Sequence, residues 1–428
     1  MAADSGDVSL PADHLQATIP ARSRIAPAAL AGARRTTACK ATSIECPVRI
    51  GIISPEFPPD IGGVETYAFE YVKELASRGD EVTVFTIPHA RGEVELPGVR
   101  VEPVLRLCRA IDRETLGRFS ADVWHALNAG YTWAVCDRPN GLVSVHGNDF
   151  LRPYLPVAQP DLRRVPVVWR WSGVISRGLR PLWMRLSAPL VQRSLAQTRH
   201  IVANSRYTER VLLERIPDCR GRTSVGYVGV GAHFFDVAWQ PAQDGIARLL
   251  TVSRLSEPRK NVDRVLRALA KLKDRHAFRY TVVGDGHDRA RLERLATELQ
   301  LVERVRFTGF VSREELLDIY AHSDLMVLAS GISSDSHEGF GIVYLEAAAS
   351  GVPCLAARLA GAAEAIDEGK SGMYVEEPTI EALADALTSF LAGQVRFDPQ
   401  ACRNFARRFS WAEVVDHSKQ YYPARRLA

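Results

Sequence analysis

The sequence predicts an α/β protein with two doubly wound parallel sheets, one after the other along the chain. Three observations predict this architecture. Short apolar segments alternate with amphipathic helical segments, which is typical of strands paired in parallel through helical crossovers. The alternation is interrupted by a polar link at residues 236–245 and then begins again. The chain has 428 residues, which is too long for one ordinary hydrophobic core.

The first series of elements begins with a strand over residues 48–54, followed by a glycine-containing loop, a helix over 63–78 and a strand over 81–87. Further strands are predicted at "ADVWHAL", "GLVSVHG" and "HIVANS". Gly62 and Gly63 lie between the first strand and the first helix. Anion-binding loops are built at this place, although a turn without a ligand fits the same residues.

The second series is more regular. Strands are predicted at "ARLLTVSRL", "RYTVVGDG", "RVRFTGF", "DLMVLAS" and "MYVEE", with helices from Val262, Asp288 and Ser312. The segment "SWAEVVDHSKQYY" forms a last helix with Ser410 as its N-cap. Two such sheets in sequence are expected to enclose a cleft lined by the carboxyl ends of their strands.

These patterns divide the chain into four parts. We expect a disordered N-terminal tail over 1–46, for which a transit peptide is the alternative. An N-terminal α/β domain over 47–236 and a C-terminal α/β domain over 237–408 follow, and a C-terminal helix over 409–428 packs back toward the N-terminal domain.

The segment "HEGFGIVYLEAAASGVPC" carries the strongest functional signal. Glu338 lies on a loop after a strand, and Glu346 lies eight positions later inside an apolar helix that Gly351 ends. Gly339 and Gly341 allow backbone amides at a helix N-terminus to approach a phosphate. A carboxylate in that helix suits the two hydroxyls of a ribose. Alternatively, Glu346 pairs with a core arginine and the glycines only form a turn.

Two cations and one histidine extend this site. Arg254 and Lys260 lie six residues apart after a strand in "VSRLSEPRKN" and suit a diphosphate, although two solvated surface cations fit equally. His146 ends a strand and therefore faces the cleft, although a lone histidine is more often structural. No D-x-D occurs in the sequence, so we expect no metal and no other cofactor at the diphosphate.

Composition excludes several classes of protein. The net charge of +4 is too small to indicate a nucleic-acid partner. The seven cysteines are scattered and contain no C-x-x-C, which favours a reducing, cytoplasmic compartment over a zinc or disulfide framework.

Together these motifs resemble the family 4 glycosyltransferases, retaining enzymes of the GT-B fold with two Rossmann-like domains facing a central cleft. The resemblance rests on "EGFGIVYLE" as an E-x(7)-E motif, "SRLSEPRKN", "VVGDGHDRARLERLA", "RVRFTGFVSREELLDIYAHSDLMVLAS" and "SGVPCLAA". It implies transfer of a hexose from a nucleotide-diphosphate sugar to a hydroxyl of a glycan or lipid-linked acceptor. The resemblance also implies that the domain over 47–236 is the acceptor side and that the domain over 237–408 binds the nucleotide sugar.

The resemblance also implies roles for individual residues. Glu338 corresponds to the carboxylate at the donor sugar, Glu346 to that at the ribose, and His146 to the cleft histidine near the attacking hydroxyl. The remaining donor-binding positions are Arg254 and Lys260 at the diphosphate with the backbone of Gly339, Phe340 and Gly341, the phosphate loop Gly62-Gly63, and the base-receiving segment Gly309, Phe310 and Val311.

The family mechanism is front-face transfer, in which the departing phosphate oxygen takes the acceptor proton and no protein nucleophile is needed. The motif wording is similar to members that use GDP-mannose, while UDP-hexose enzymes share the same frame. The loop "GISSDSHEGFG", with Asp335 and His337 ahead of Glu338, departs from the family pattern at a place that commonly helps to select the donor.

The stretch 163–193 predicts contact with an anionic membrane face. Residues 162–208 contain nine arginines and no Asp or Glu, and Trp169, Trp171 and Trp183 are interleaved with them. A cleft wall with solvated arginines, or a face that attracts a phosphorylated or acidic soluble acceptor, fits the same pattern. We therefore expect a cytoplasmic enzyme that associates with the cytoplasmic membrane face.

Two other classes of function compete with this interpretation. A scaffold protein could bind nucleotide sugars without catalysis, but the complete set of site residues argues against lost activity. Another GT-B enzyme, such as a sugar-nucleotide epimerase or a phosphorylase, fits less well. The E-x(7)-E frame disfavours the epimerase, and no lysine stands in a cofactor-anchoring context that would suggest the phosphorylase.

Overall fold

The structure is a computed structural model that describes residues 47–59, 62–89, 92, 94–161, 178–334 and 336–424. The predicted tail over 1–46 lies outside the described residues. So do Trp169 and Trp171 of the arginine- and tryptophan-rich stretch.

The first sheet is parallel throughout, with the strand order β3-β2-β1-β4-β5-β6-β7 in the described part of the chain. Its strands are β1 Arg49–Ile53, β2 Glu81–Phe85, β3 Val99–Glu102, β4 Val123–Ala126, β5 Gly141–Val145, β6 His200–Ala203 and β7 Thr223–Val225.

The second sheet is also parallel, with the order β10-β9-β8-β11-β12-β13. Its strands are β8 Ala247–Val252, β9 Phe278–Val283, β10 Val305–Gly309, β11 Leu325–Leu328, β12 Cys354–Ala357 and β13 Gly372–Val375. We call the part of the chain around the first sheet the N-terminal lobe and the part around the second sheet the C-terminal lobe.

The α-helices connect the strands and cover the sheets. They are α1 Gly63–Ser77, α2 Arg109–Leu116, α3 Arg180–Gln197, α4 Arg206–Arg215, α5 Val262–Leu272, α6 Arg289–Glu298, α7 Arg313–Ala321, α8 Ile342–Ala349, α9 Ile380–Leu391, α10 Pro399–Ala406 and α11 Trp411–Lys419.

Local sequence signals explain where these helices begin and which face they bury. Helix α7 begins with a capping box, in which the Ser312 side chain accepts from the Glu315 amide and Glu315 accepts from the Ser312 amide. Helix α5 buries Val262, Val265 and Leu269 at helical spacing, so its apolar face packs on the second sheet.

Both sheets reverse their strand order at one point, between β1 and β4 and between β8 and β11. Loops at the carboxyl ends of the flanking strands separate there and leave a crevice, where ligands of α/β proteins usually bind. The Gly62-Gly63 loop follows β1, and the loop that carries Glu338 follows β11. The topology therefore places the Gly62-Gly63 loop and the Glu338 loop at the two crevices.

The C-terminal helix α11 packs on the N-terminal lobe. The indole of Trp411 contacts the ring of Tyr67 on α1, with centroids 5.4 Å apart. Asp416 pairs with Arg78, and Lys419 pairs with Asp80. Beyond the helix, the Tyr422 hydroxyl lies 2.9 Å from Nδ1 of the buried His125. The last segment of the chain therefore returns from the C-terminal lobe to the first sheet.

Sequence reasoning did not name strands β3, β7 and β12. Strand β12 is fully buried, but its four residues lack the β-branched and aromatic side chains that are typical of strands. Strands β3 and β7 have three or four residues and no fully buried position, so neither shows the apolar run that identifies the central strands. Their pairing with β2 and β6 is a tertiary effect that a single short segment does not encode.

Candidate active site

Glu338 is held by cations of its own lobe. Its Oε2 accepts from Lys260 Nζ at 2.6 Å and from Ser330 Oγ at 2.9 Å, and Arg259 lies 3.4 Å away. Burial alone would raise the pKa of Glu338. Lys260 and Arg259, together with the hydrogen bonds from Lys260 and Ser330, outweigh that effect and lower the pKa to about 2. The carboxylate is therefore ionised at every ordinary pH.

Glu346 has the opposite environment at the same exposure, since both glutamates are 8 % exposed. It lies on α8 among small apolar residues, and its only hydrogen bond from a described side chain comes from the Tyr320 hydroxyl at 3.3 Å. Burial raises the pKa of Glu346 to about 7, and the Tyr320 bond opposes the rise only in part. The alternative in which Glu346 pairs with a core arginine is not found among the described residues.

Arg254 and Lys260, predicted as a pair for a diphosphate, occupy different positions. Arg254 is exposed after β8, whereas Lys260 ends a short 3₁₀ turn, Pro258–Lys260, and binds Glu338. Both line one small pocket. Neighbouring Arg259, which sequence reasoning did not single out, reaches Glu338, Glu257 and Ser336. The run of cations in "PRKN" was the available signal, but it does not show which side chain turns inward.

The glycines after Glu338 allow two loops to meet. A Cβ on Gly339 would lie 2.7 Å from Asn204 Nδ2 and 3.1 Å from the His146 carbonyl oxygen, so a larger residue does not fit. Gly341 is the N-cap of α8 with φ 92°, a left-handed conformation that favours glycine. No side chain caps α8, so its first amides remain available to an anion.

His146 follows β5, and its carbonyl oxygen lies at the contact between the Gly339 loop and the N-terminal lobe. Its backbone amide donates to Asp149 at 3.0 Å, and its ring lies edge-on to Tyr67 with centroids 4.4 Å apart. Burial lowers the pKa of His146 to about 4, so the imidazole is neutral near pH 7. Its Nε2 is shielded from solvent and has no hydrogen-bond partner.

Of the two remaining predicted segments, one follows β1 at the crevice of the first sheet and the other follows the edge strand β10 of the second sheet. Gly62 and Gly63 begin α1, and the neighbouring residues 60 and 61 lie outside the described part. At the end of β10, Gly309 accepts from the Gly284 amide at 2.9 Å, and Phe310 is 63 % exposed. Neither segment is hydrogen-bonded to Glu338 or Glu346 within the described residues.

Contacts between the lobes add residues that sequence reasoning missed. Asn148 donates to Ser336 Oγ at 2.8 Å and accepts from the His337 amide at 2.8 Å. Glu364 accepts from the amides of Arg206 and Tyr207 at the start of α4. These pairs are separated by more than 150 residues in sequence, so no local pattern predicts them.

In the described part of the chain, no cluster of three or more His, Cys, Asp or Glu is placed to hold a metal ion. None of the helices in that part of the chain is both long and apolar enough to cross a membrane.

Two family models match the chain. The model for glycosyl transferases group 1 matches residues 240–409, and the model for glycosyltransferase family 4 matches residues 61–232.

Two curated relatives come from Mycolicibacterium smegmatis. A GDP-mannose-dependent alpha-(1-6)-phosphatidylinositol monomannoside mannosyltransferase is 30 % identical over 366 residues, covering 80 % of this chain and 88 % of the relative. A D-inositol 3-phosphate glycosyltransferase is 28 % identical over 405 residues, covering 88 % and 91 %.

Solved structures share the fold. Sucrose-phosphate synthase from Thermosynechococcus elongatus superposes with a TM-score of 0.66 at 20 % identity, covering 87 % of this chain and 98 % of that one. Anabaena HepE in complex with UDP and glucose has a TM-score of 0.63 at 19 % identity, with the same coverage.

The two parallel sheets and the likeness to these solved structures show the GT-B fold, as the sequence predicted. The chain belongs to glycosyltransferase family 4, and it is a hexosyltransferase.

Because the pKa values of Glu346 and Glu338 are shifted in opposite directions, we expect replacement of each by the uncharged glutamine to change the stability of the ligand-free protein in opposite directions. The folded pKa of Glu346 is raised, so ionising it costs stability as pH rises from about 4.5 to about 7. We expect Glu346→Gln to increase the unfolding free energy by about 3 kcal/mol at pH 8 and by less than about 1 kcal/mol at pH 5.

Glu338→Gln is the matched control for this measurement. The folded pKa of Glu338 is lowered, so its contribution is present above about pH 4.5 and is lost only as pH falls toward 2. We expect a loss of about 3 kcal/mol at both pH 5 and pH 8 in urea denaturation. Equal losses for the two variants at pH 8 would contradict the environments described here.

Proposed function

We propose that this enzyme transfers a hexose from a nucleotide-diphosphate sugar to a hydroxyl of a glycan or lipid-linked acceptor, with retention at the anomeric carbon and without a metal. The observation that carries the proposal is the pair of buried glutamates. Glu338 is ionised beside Lys260 and the N-terminus of α8, and Glu346 lies two turns deeper with one weak partner.

Glu346 is the proposed ribose ligand. A buried carboxylate with one hydrogen bond at 3.3 Å has unused acceptor capacity and a raised pKa. The two hydroxyls of a ribose would supply the missing donors, and each such bond to a charged group is worth about 1.5–3 kcal/mol. In this arrangement the base lies toward Gly309, Phe310 and Val311, where the exposed Phe310 ring offers a stacking surface.

Protein cations and amides are the proposed partners of the diphosphate. Arg254 is exposed after β8, one of the two strands that flank the crevice, and forms no hydrogen bond or ion pair with another described residue. Lys260 binds Glu338, and the uncapped amides of α8 follow the same loop. Together these groups would neutralise the leaving diphosphate, a task that other transferases give to a divalent ion.

The proposed reaction takes place on one face of the sugar. The acceptor hydroxyl attacks the anomeric carbon from the side on which the diphosphate leaves, and the departing phosphate oxygen takes the hydroxyl proton. Neutral His146 would hydrogen-bond to the sugar or the acceptor near this point. Product analysis by proton NMR tests retention, and activity in excess chelator tests metal independence. An inverted anomer or complete loss of activity in chelator would contradict these two parts.

Glu346→Ala and His146→Ala separate donor binding from turnover. In a thermal-shift panel of GDP-, UDP- and ADP-hexoses, we expect one strong response from the wild type. Glu346→Ala should weaken that donor about tenfold or more, because the ribose loses its charged partner. His146→Ala should keep donor affinity and lower kcat about tenfold or more.

Glu303→Ala, at an exposed site outside the crevice, is the control substitution and should change neither value. No wild-type response to any nucleotide sugar would overturn the proposed function. Donor binding with neither hydrolysis of the donor nor a transfer product would favour a non-catalytic nucleotide-sugar-binding scaffold instead.

Helix α3 supports a membrane-held acceptor. Leu179, Leu182 and Leu186 are 38 %, 45 % and 46 % exposed and follow one another at helical spacing. Exposed Arg185 and Arg193 accompany them. Exposed leucines beside arginines are typical of a helix that lies on an anionic bilayer. One curated relative is named for a phosphatidylinositol mannoside acceptor, and we propose an acceptor of that lipid-linked class here, at the cytoplasmic membrane face.

Liposome flotation tests the membrane contact. We expect the protein to float with vesicles that contain anionic lipid and not with neutral vesicles. The double variant Leu182→Ser/Leu186→Ser should stay in the pellet fraction, whereas Val302→Ser, which alters a 56 % exposed valine on the other lobe, should float like the wild type. Equal flotation of all three proteins, or flotation of none, would exclude α3 as the contact.

A further inference from the structure

Two polar side-chain atoms at the contact between the lobes have no hydrogen-bond partner among the described residues. They are Nε2 of His337 and Oδ1 of Asn204. His337 is 3 % exposed and Asn204 is 6 % exposed, so solvent reaches neither side chain freely. An unpaired buried polar group destabilises the folded state, and folded proteins seldom keep one without a functional reason.

These atoms belong to one location. A Cβ on Gly147 would lie 3.5 Å from Nε2 of His337 and 3.0 Å from the Cα of Gly339. A Cβ on Gly339 would lie 2.7 Å from the Asn204 amide nitrogen. Gly147 directly follows His146 and has φ 88°, a conformation that favours glycine. The two glycines therefore allow the two loops to approach closely, and the His337 imidazole and the Asn204 amide lie beside this contact.

His337 and Glu338 are neighbours in sequence but make contacts with different lobes. Glu338 binds Lys260 and Ser330 of the C-terminal lobe. The His337 ring lies edge-on to Tyr207 of α4, in the N-terminal lobe, with centroids 4.9 Å apart. His337 thus spans the cleft beside the residue that we assign to the donor sugar.

The chemistry of these atoms fits hydroxyl groups. Burial and the charge of Arg259 lower the pKa of His337 to about 4, so its imidazole is neutral near pH 7. A neutral imidazole nitrogen donates or accepts according to its tautomer, and the Asn204 oxygen accepts. A hydroxyl group serves both, whereas a phosphate would require donors alone.

We propose that His337 and Asn204 hydrogen-bond to hydroxyl groups of the transferred hexose and so determine which hexose the enzyme accepts. This inference rests on the proposed function. His337 occupies a position set by the loop that departs from the family pattern, which is where a donor preference particular to this chain is expected.

His337→Phe tests the inference because it keeps an aromatic ring against Tyr207 and removes only the polar nitrogens. With GDP- or UDP-linked glucose, galactose and mannose, we expect the ratio of kcat/KM between the preferred hexose and its epimers to fall about tenfold or more. Affinity for the bare nucleoside diphosphate should stay unchanged. The ligand-free variant should melt no lower than the wild type, because an unpaired buried group has been removed.

His337→Gln retains a hydrogen-bonding side chain and should restore part of the hexose preference, and Asn204→Ala should reduce it as His337→Phe does. His322→Phe, a surface histidine at the end of α7, is the matched control and should leave the ratio unchanged. An unaltered ratio in His337→Phe and Asn204→Ala overturns this inference alone. A wild type that neither binds nor uses any nucleotide hexose overturns the proposed function together with it.

Discussion

The ion pair between Glu338 and Lys260 is the interaction on which the rest of the site depends. It joins the loop after β11 to the turn after β8, the two strands that flank the crevice of the C-terminal lobe. Ser330 and Arg259 complete the arrangement. Because the carboxylate is held, the next residues follow a fixed course, which brings Gly339 against the N-terminal lobe and the uncapped end of α8 into the crevice.

The same helix then carries a glutamate that has no such support. Glu346 and Glu338 are equally buried, so exposure does not separate them. Their pKa values differ because two cations face one carboxylate and a single tyrosine hydroxyl faces the other. A carboxylate kept at this cost fits a site that is completed by a ligand, and the hydroxyls of a nucleotide ribose match its acceptors.

Sequence reasoning located the two glutamates, the glycines and every central strand except β12, because each of these has a local signal. Apolar runs mark buried parallel strands, and a Gly-rich loop before an apolar helix marks an anion site. Arg259, Asn148 and Asn204 were not found, since their roles depend on contacts between loops from distant parts of the chain. These contacts lie within the C-terminal lobe for Arg259 and between the lobes for Asn148 and Asn204. Half-exposed β3 and β7 were missed because pairing, not composition, makes them strands.

Carboxyl carbon NMR titration of the two glutamates tests the central claim most directly. In the ligand-free enzyme we predict that Glu346 titrates near pH 7 and that Glu338 stays ionised down to the acid limit of the folded state. Adding the nucleoside diphosphate of the preferred donor should lower the pKa of Glu346 and leave Glu338 ionised. A Glu346 that titrates near 4.5 without ligand, or one that the nucleotide does not shift, would contradict the account.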